Sequence, residues 1–349
     1  MTDEMAADTP RGLGYRWPAE WEPHDATWLA WPHKEDSWPG KMGRIPPVFV
    51  EMVRALVTGE DVRILVRSDR EGHAVRERLL TASVDCARVE FLAVPTDDAW
   101  IRDHGPVFVT HPDQPAAVVD WDYNAWGGKY PPWDLDVRVA SKVATHLGLR
   151  RFDAGMILEG GSIDGDGEGT ILTTESCLLH PNRNPALDRE AIEDRLRVHL
   201  GAEKILWLGD GIVGDDTDGH VDDLTRFVGP GTVVTVVEED ESDANFEALS
   251  NNRHRLESMT DARGRRLTVT ALPMPRAVFE GEDRLPASYA NFYIGNAVVL
   301  VPTFGDPADE RALEIFTACF PSRRIVGIDA RDLVWGLGAF HCLTQQQPA

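Results

Sequence analysis

Reactive side chains stand next to glycines at four places in this chain of 349 residues. The last of them ends in the adjacent pair His341-Cys342, and the other three surround Asp103, Glu159 and Asp222. Glycine allows sharp loops and a close approach of the backbone to a ligand. A thiol beside an imidazole can be activated for nucleophilic attack, whereas a buried structural thiol is usually inert. The pattern favours a Cys–His nucleophilic enzyme, with a structural cysteine as the alternative.

Carboxylates are more numerous around this pair than a cysteine protease requires. Such a protease needs one orienting acid and an oxyanion hole, but Asp103, Glu159 and Asp222 all lie in glycine-rich segments. Paired carboxylates match the planar guanidinium group, which carries several N–H donors. The set therefore predicts attack of a cysteine on a guanidinium carbon.

A glycine-rich segment, Gly209-Asp-Gly-Ile-Val-Gly214, follows a predicted strand and matches the dinucleotide fingerprint G-x-G-x-x-G. In that fingerprint the N-terminus of the following helix holds a pyrophosphate. Here Asp215, Asp216 and Asp218 come next and would repel phosphate, and no helical apolar pattern follows. We therefore interpret the segment as a glycine-rich turn.

Two further segments have the spacing of metal ligands. Residues 164–175 nearly match a calcium-binding loop, but such loops lie between helices, and the flanking residues here have strand character. His220, Asp222 and Asp223 could offer ligands, but no second histidine lies close by in the sequence. We therefore predict a hairpin at 164–175 and expect no metal.

Apolar runs typical of strands alternate with helical patterns along most of the chain, and this alternation predicts an α/β fold. The predicted strands are 62–66, 89–94, 204–208, 267–272, 297–301 and 325–328. The predicted helices are 71–80, 187–200, 246–259 and 310–320, together with one that carries Val48, Met52 and Leu56 on one face. No linker-like composition interrupts residues 13–349, so we predict a single domain there. Residues 1–12 are expected to be a disordered tail.

The net charge of −23 at pH 7 limits the possible partners. Phosphates would be repelled, so we expect no nucleic acid and no membrane as a partner, and instead a small cationic substrate. No apolar run approaches the length of about 18 residues that a membrane-spanning helix needs. The four cysteines, Cys86, Cys177, Cys319 and Cys342, form no C-x-x-C pair. This usage is typical of the reducing cytoplasm.

Seven longer motifs carry a family resemblance that extends from about residue 14 to residue 348. They are Trp100-Ile-Arg-Asp103-His-Gly-Pro106, Asn124-Ala-Trp-Gly-Gly128, Leu158-Glu-Gly-Gly-Ser162, Asp218-Gly-His220-Val-Asp222, Ala287-Ser-Tyr-Ala-Asn-Phe-Tyr293, Phe304-Gly-Asp306 and His341-Cys342-Leu-Thr-Gln-Gln-Gln347. In these motifs the chain resembles the agmatine deiminases, which are peptidyl-arginine-deiminase-like members of the guanidino-modifying pentein superfamily. The resemblance implies a five-bladed propeller of ββαβ units with pseudo-fivefold symmetry.

The same resemblance implies a role for six residues. They are Cys342 as nucleophile, His220 as general acid and base, Glu159 as its carboxylate partner, Asp103 and Asp222 as ligands of the guanidinium, and Trp100 as pocket lining. The implied reaction hydrolyses agmatine to N-carbamoylputrescine and ammonia, a step of putrescine and polyamine metabolism. It passes through a covalent amidino-cysteine and needs no cofactor. A related hydrolase or amidinotransferase acting on another guanidino compound is the alternative, and a non-catalytic binder of cations is a third.

Two departures from the family pattern affect the expected rim of the pocket. Residues 336–340 read Gly-Leu-Gly-Ala-Phe where the family usually has Gly-Gly-Gly-Asn-Ile, and Asp97 replaces a usual asparagine. We expect Leu337, Ala339 and Phe340 to form an apolar part of the rim, and Asp97 to attract the amine end of the substrate. Arg102 is expected to point away from the pocket. We also expect a homo-oligomer.

Overall fold

The computed structural model describes residues 8–349, in which strands and helices alternate. In chain order the strands are β1 (His24–Ala30), β2 (Asp61–Val66), β3 (Val89–Ala93), β4 (Val107–Val109), β5 (Ala117–Asp122), β6 (Arg150–Ile157), β7 (Asp164–Gly165), β8 (Thr170–Thr174), β9 (Lys204–Leu208), β10 (Thr225–Gly229), β11 (Thr232–Val237), β12 (Thr268–Pro273), β13 (Val278–Glu280), β14 (Asp283–Leu285), β15 (Tyr293–Ile294), β16 (Val298–Thr303), β17 (Arg324–Asp329) and β18 (Gln345–Pro348). The longer helices are Ile45–Leu56, Asp69–Thr81, Val139–Leu147, Arg189–Leu200, Phe246–Ser258 and Ala308–Cys319. The predicted α/β fold is confirmed.

Four sheets share one connection pattern. Their strand orders are β4-β5-β6, β7-β8-β9, β10-β11-β12 and β15-β16-β17. In each sheet the first two strands are antiparallel neighbours in sequence, and the second and third strands are parallel. One of the longer helices connects the second strand to the third, as a parallel pair requires.

A fifth sheet joins the two ends of the described chain. The C-terminal strand β18 pairs antiparallel with β1, with Trp28 opposite Gln345. β1 is parallel to β2, and β2 is parallel to β3. The strand order β18-β1-β2-β3 therefore begins with the same antiparallel and parallel pairs as the other four sheets. Strands β13 and β14 form a separate hairpin.

Local sequence signals explain where the helices lie. In the helix Ile45–Leu56, the apolar residues Phe49, Met52, Val53 and Leu56 recur at the spacing of one face and are all buried. The helix Arg189–Leu200 begins where Asp188 accepts a hydrogen bond from the Ala191 backbone and ends at Gly201, which has a left-handed conformation. Both features are strong boundary signals. The predicted helices therefore match those of the structure within a few residues.

Both glycine-rich segments are turns, as predicted. Residues 164–175 contain the β7–β8 hairpin, in which the Asp166 carboxylate accepts hydrogen bonds from two backbone amides of its own turn. Residues 209–214 follow β9, and the next regular element is the three-residue turn Val221–Asp223. Within the described residues, no α-helix follows this segment whose N-terminus could hold a pyrophosphate.

The N-terminal prediction lies partly outside the described residues, because the structure describes none of residues 1–7. Residues 8–12 depart from the predicted disordered tail, since they form a turn that the helix Arg189–Leu200 holds in place. The Arg11 backbone amide donates to the Val198 carbonyl over 3.1 Å. Among residues 8–349, no helix has the length and apolarity needed to cross a membrane.

Candidate active site

Five loops, each leading into the first strand of one sheet, carry the polar residues of the candidate site. Asp103 precedes β4, Glu159 precedes β7, Asp222 precedes β10, Asn291 precedes β15 and Cys342 precedes β18. All five residues are at most 5% exposed. The repeated connection pattern therefore delivers one side chain from each sheet to a common buried region.

A pocket of about 130 Å³ opens above this region. Its lining combines aromatic rings (Trp100, Trp126, Tyr130, Trp335), carboxylates (Asp36, Asp98, Asp103, Asp216) and one cation, Lys34, together with Ser37, Thr217, Gly336, Leu337 and Cys342. Rings and carboxylates together are suited to a planar or alkyl cation. The structure thus places Trp100, Asp103 and Cys342 on the pocket wall, while His220, Glu159 and Asp222 are fully buried behind it.

Cys342 has two polar neighbours at its sulfur. The side-chain amide of Asn291 donates a hydrogen bond to Sγ over 3.0 Å, and Sγ lies 3.6 Å from Asp222 Oδ2. Burial raises the pKa of the Cys342 thiol well above its ordinary value, and the charges of nearby Asp222 and Asp223 raise it further. These effects favour the neutral thiol, and a cation bound beside the sulfur would favour the thiolate.

His220 lies among three carboxylates without a close hydrogen bond. Its Nδ1 is 3.8 Å from Asp103 Oδ1 and 3.9 Å from Asp222 Oδ1, and its Nε2 is 3.9 Å from Glu159 Oε2. Burial opposes protonation of the ring, but the surrounding groups, Asp103 first, raise the pKa of His220 well above its ordinary value. The ring is therefore an imidazolium that can donate a proton.

Asp103 is held by two donors that point at different oxygens. Trp126 Nε1 donates to Oδ2 over 3.0 Å, and the Gly161 backbone amide donates to Oδ1 over 3.0 Å. Burial raises the pKa of Asp103 to about 6, and the charges of Asp222 and Glu159 act in the same direction against that of His220. Asp103 therefore changes its charge close to neutral pH.

Gly161 leaves the space in which three of these groups meet. A Cβ atom at this position would lie 2.6 Å from His220 Nδ1, 2.9 Å from Asp222 Oδ2 and 3.0 Å from Asp103 Oδ1. Contacts this short would force the three side chains apart. The sequence-based argument that glycine permits close approach thus applies at this position.

Glu159 is fixed from the side opposite His220. Arg183 Nε donates to Glu159 Oε1 over 2.7 Å, and the same guanidinium donates to Asp218 Oδ2 over 2.6 Å. Burial opposes the charge on Glu159, but His220 and Arg183 outweigh it and lower the pKa of this carboxyl group. Glu159 is therefore an ionised partner for the imidazolium.

One group of residues has the geometry of a metal site. Ligand atoms of Glu159, Cys177 and His220 lie within 4.8 Å of one another, and all three residues are buried. The Arg183 guanidinium, however, contacts the Glu159 carboxylate at 2.7 Å and already balances its charge. Because this charge is already balanced, the three residues fit a buried ion pair between Glu159 and protonated His220 better than they fit a metal ion.

Several predictions for the rim of the pocket are wrong. Ala339 and Phe340 are at most 2% exposed and lie outside the lining, to which only Leu337 of the three contributes. The Asp97 carboxylate accepts a hydrogen bond from the Leu135 backbone, because the chain turns there, and the neighbouring Asp98 faces the pocket instead. The predicted orientation of Arg102 is correct, since its guanidinium points into the buried interior and donates to Gln346 and Glu20.

Sequence reasoning missed other residues of the site. Asn291 and Trp126 lie inside motifs that carried the resemblance, but neither had been assigned a role. Arg183 and Lys34 had been assigned no role either. Only their contacts across the fold reveal them, since Arg183 bonds a carboxylate 24 residues away and Asn291 a thiol 51 residues away.

Comparisons with known proteins show which proteins the chain resembles. The model of the Porphyromonas-type peptidyl-arginine deiminase family matches residues 16–348. The chain is 39% identical to the agmatine deiminase of Ectopseudomonas mendocina (strain ymp), over 98% of this chain and 97% of the relative. It is 41% identical to a putative agmatine deiminase of Selenomonas ruminantium, over 98% of both chains. The solved structure of the Enterococcus faecalis agmatine deiminase superposes with a TM-score of 0.92 at 38% identity, over 97% of both chains.

Proposed function

The chain belongs to the Porphyromonas-type peptidyl-arginine deiminase family, and we propose that it hydrolyses agmatine to N-carbamoylputrescine and ammonia. The observation that carries the proposal is the buried set of Cys342, Asp103, Asp222 and His220 below an aromatic pocket. Relatives that share about 40% of their residues with the chain over nearly its whole length carry the name agmatine deiminase. The roles below follow from the chemistry of these groups.

Substrate binding uses the paired carboxylates. The planar guanidinium donates its N–H groups to Asp103 and Asp222, and its carbon then faces Cys342 Sγ. Trp100 and the other rings of the pocket pack along the alkyl chain and the cation. The cation offsets the carboxylate charges that raise the pKa of the thiol, so Cys342 releases its proton to solvent and becomes a thiolate when substrate binds.

The first half-reaction forms the covalent intermediate. The Cys342 thiolate attacks the guanidinium carbon and forms a C–S bond, which gives a tetrahedral adduct. The C–N bond to one terminal amino group then breaks, and that nitrogen leaves as ammonia with a proton from His220. An amidino-cysteine remains, and His220 is neutral.

The second half-reaction releases the product. Neutral His220 takes a proton from a water molecule that attacks the amidino carbon. The C–S bond of the adduct then breaks while its hydroxyl proton passes to solvent, which gives the neutral urea and regenerates the Cys342 sulfur as a thiolate. Glu159 holds the imidazole ring and stabilises its charged form at each stage. The sum is agmatine plus water giving N-carbamoylputrescine plus ammonia.

We also propose that the five sheets form a five-bladed propeller of ββαβ units, which makes residues 13–349 a single domain. Neighbouring sheets contact each other through their first strands, and these contacts support the arrangement. Asp164 in β7 bonds both the Arg226 side chain and the Phe227 backbone in β10, and Arg102, just before β4, donates to Gln346 in β18. The reactive side chains would then lie along the axis of the propeller.

The partner and location predictions also remain proposals. A small cationic substrate fits the acidic lining of the pocket. A homo-oligomer is expected, with no nucleic acid and no membrane as partner. A cytoplasmic location fits four cysteines that are all free, three of them buried.

An assay with a panel of guanidino compounds tests the proposed activity. The purified protein is expected to release ammonia from agmatine, and mass spectrometry should identify N-carbamoylputrescine as the product. The Cys342→Ala variant should be inactive, and a haloacetamidine should label Cys342 in the wild type. Transfer of the amidino group to an added amine would show an amidinotransferase instead, and labelling of Cys86, Cys177 or Cys319 would refute the assigned nucleophile.

A further inference from the structure

His341 lies buried between two carboxylates, one at the site and one behind it. Its Nδ1 is 2.7 Å from Asp222 Oδ2, and its Nε2 is 2.9 Å from Glu20 Oε2. The side chain of His341 is only 2% exposed. An ionised carboxylate only accepts hydrogen bonds. Two carboxylates at these distances match the form of the ring in which both nitrogens donate, which is the imidazolium.

Both carboxylates remain ionised despite their burial. Glu20 Oε1 lies 3.0 Å from Arg226 and accepts from the Ile294 backbone amide, and Oε2 lies 3.3 Å from Arg102. Burial opposes the charge of Glu20, but Arg226 and His341 outweigh it and lower its pKa. For Asp222, burial is outweighed chiefly by His341, so its pKa is also lowered.

The oxygen of Asp222 that bonds His341 is the one nearest the nucleophile. Asp222 Oδ2 lies 2.7 Å from His341 Nδ1 and 3.6 Å from Cys342 Sγ. The other oxygen, Oδ1, lies 3.9 Å from His220 Nδ1 and has no hydrogen-bond partner within the described chain. Asp222 thus has one oxygen fixed by His341 and one free to accept from a substrate.

We propose that His341 is a positioning residue that keeps Asp222 ionised and oriented toward Cys342 and the guanidinium, with the buried Glu20 as its anchor. This inference rests on the proposed function, because Asp222 must be charged to hold a guanidinium cation. His341 itself acts only through Asp222. This role also explains why His341 and Cys342 are adjacent in the sequence, because a single backbone segment then positions both the nucleophile and the residue that orients Asp222.

Other ionisable groups also act on this pair and set the background of any pH profile. They are Asp103 and Arg102 from the short helix Ile101–His104, Asp215, His220 and Asp223 from the segment before β10, Asp164 and Arg226 from β7 and β10, and Cys342 itself. Among them, Asp103 has a pKa that burial raises to about 6. In the wild type we therefore expect the titration of Asp103 to contribute to the acid limb of kcat/KM.

Two substitutions of His341 separate its role from simple packing. His341→Asn and His341→Gln each remove the positive charge but keep an amide that can donate to one of the two carboxylates. Without the cation, the Asp222 carboxylate binds a proton more readily. We expect kcat/KM for agmatine at pH 7 to fall by at least about 30-fold, the loss typical of breaking a buried charge pair. The acid limb should move to higher pH and become steeper, because Asp222 then titrates together with Asp103.

His24→Gln is the matched control. His24 is also buried, and its Nδ1 lies 3.2 Å from the Glu60 carboxylate, but it does not contribute to the pocket. This variant should keep the wild-type acid limb even if it loses stability. Acid limbs of both His341 variants that coincide with that of the wild type would overturn the inference. Failure of the proposed function would be seen separately, as a wild-type protein that releases no ammonia from agmatine.

Discussion

The side-chain amide of Asn291 holds Cys342 at both its sulfur and its backbone. Asn291 Nδ2 donates to Cys342 Sγ over 3.0 Å and to Asp223 Oδ1 over 2.9 Å. Asn291 Oδ1 accepts from the backbone amides of Ala339, His341 and Cys342. One buried side chain from the loop before β15 therefore fixes the nucleophile, which comes from the loop before β18.

Asn291→Asp should impair the nucleophile without changing the size of the side chain. The substitution removes the donor to Sγ and places another acidic group beside the thiol, so the pKa of Cys342 rises further. We expect kcat to fall about 10- to 100-fold, which corresponds to about 1–3 kcal/mol for a lost buried hydrogen bond. Alkylation of Cys342 should also require higher pH.

Asn252→Asp is the control for that variant. Asn252 is equally buried, and its side chain bonds the Gly209 amide and the Asp210 carbonyl away from the pocket. The Asn252→Asp variant should unfold more easily than the wild type while retaining wild-type kcat. An Asn291→Asp protein with unchanged kcat and unchanged alkylation would show that the contact with Sγ has no influence on the thiol.

Asp103 should govern both the activity and the stability of the protein in mildly acidic solution. Its pKa is raised to about 6 by burial and by Asp222, whereas an aspartate in an unfolded chain has a pKa of about 3.9. Between about pH 4 and about pH 6 the unfolded chain releases this proton and the folded chain keeps it. The contribution of Asp103 to the free energy of unfolding therefore falls as pH rises through this window.

Asp103→Asn should consequently raise the melting temperature near neutral pH and abolish turnover. In the wild type, kcat/KM should fall about tenfold per pH unit below about pH 6, because protonated Asp103 no longer attracts the guanidinium. Melting curves and rate profiles between pH 4 and pH 8 test both statements. A melting temperature of Asp103→Asn below that of the wild type at pH 7 would contradict the conclusion that the buried, ionised Asp103 destabilises the folded protein.

Gly161→Ala should disable the site while leaving the fold intact. The added methyl group would lie 2.6 Å from His220 Nδ1 and 2.9 Å from Asp222 Oδ2. Displacement of these groups by about 1 Å is expected to lower kcat/KM about 100-fold. Gly229→Ala is the control, because a Cβ there meets nothing within 4 Å. Comparable activities of the two variants would show that His220, Asp222 and Asp103 tolerate a wider spacing.

Asp98 is expected to select substrates with a cationic far end. Its carboxylate lies on the pocket wall, bonded to Ser37 Oγ over 2.7 Å and 3.3 Å from Lys34 Nζ. The ammonium of agmatine can compete with Lys34 for this carboxylate. Asp98→Asn should lower kcat/KM for agmatine about tenfold, with little change for the neutral guanidinobutane.

Asp97→Asn is the matched control, because the Asp97 carboxylate bonds the Leu135 backbone instead of facing the pocket. L-Arginine should be a poorer substrate than agmatine for the wild type, since Lys34 is already paired with Asp98. Equal losses for agmatine and guanidinobutane in Asp98→Asn would show that the amine is bound elsewhere.

Local patterns in the sequence were sufficient for most of the longer helices and for some of the strands, but they did not predict β1, β5, β6, β11 or the helix Val139–Leu147. The helix Ile45–Leu56 shows why, because the spacing of its apolar residues directly reports the buried face. Arg102 shows the limit of such reasoning. Its orientation was inferred from an extended segment, but residues Ile101–His104 form a short helix, and contacts with Gln346 and Glu20 determine its direction.

The C-terminal strand could not be predicted from apolar character. In β18, Gln345, Gln346 and Gln347 are all buried, and the side-chain amides of Gln346 and Gln347 bond distant parts of the chain. Gln347 Oε1 accepts from Trp28 Nε1 over 3.0 Å, and Gln346 Oε1 accepts from Arg102 over 2.7 Å. A polar strand of this kind is recognisable only when its distant partners are known. The partners of Glu20 and Asn291 escaped prediction for the same reason.

The pairing of β1 with β18 has a consequence for how the enzyme is made. These strands are about 320 residues apart, and the Ala349 backbone amide donates to the Pro23 carbonyl. Contacts of such long sequence separation form late and slowly. During synthesis, β1 keeps an unpaired edge until residues 345–348 have left the ribosome. Because Cys342 lies only three residues before β18, the nucleophile reaches its position in the same event, and a nascent chain has no working thiol before then.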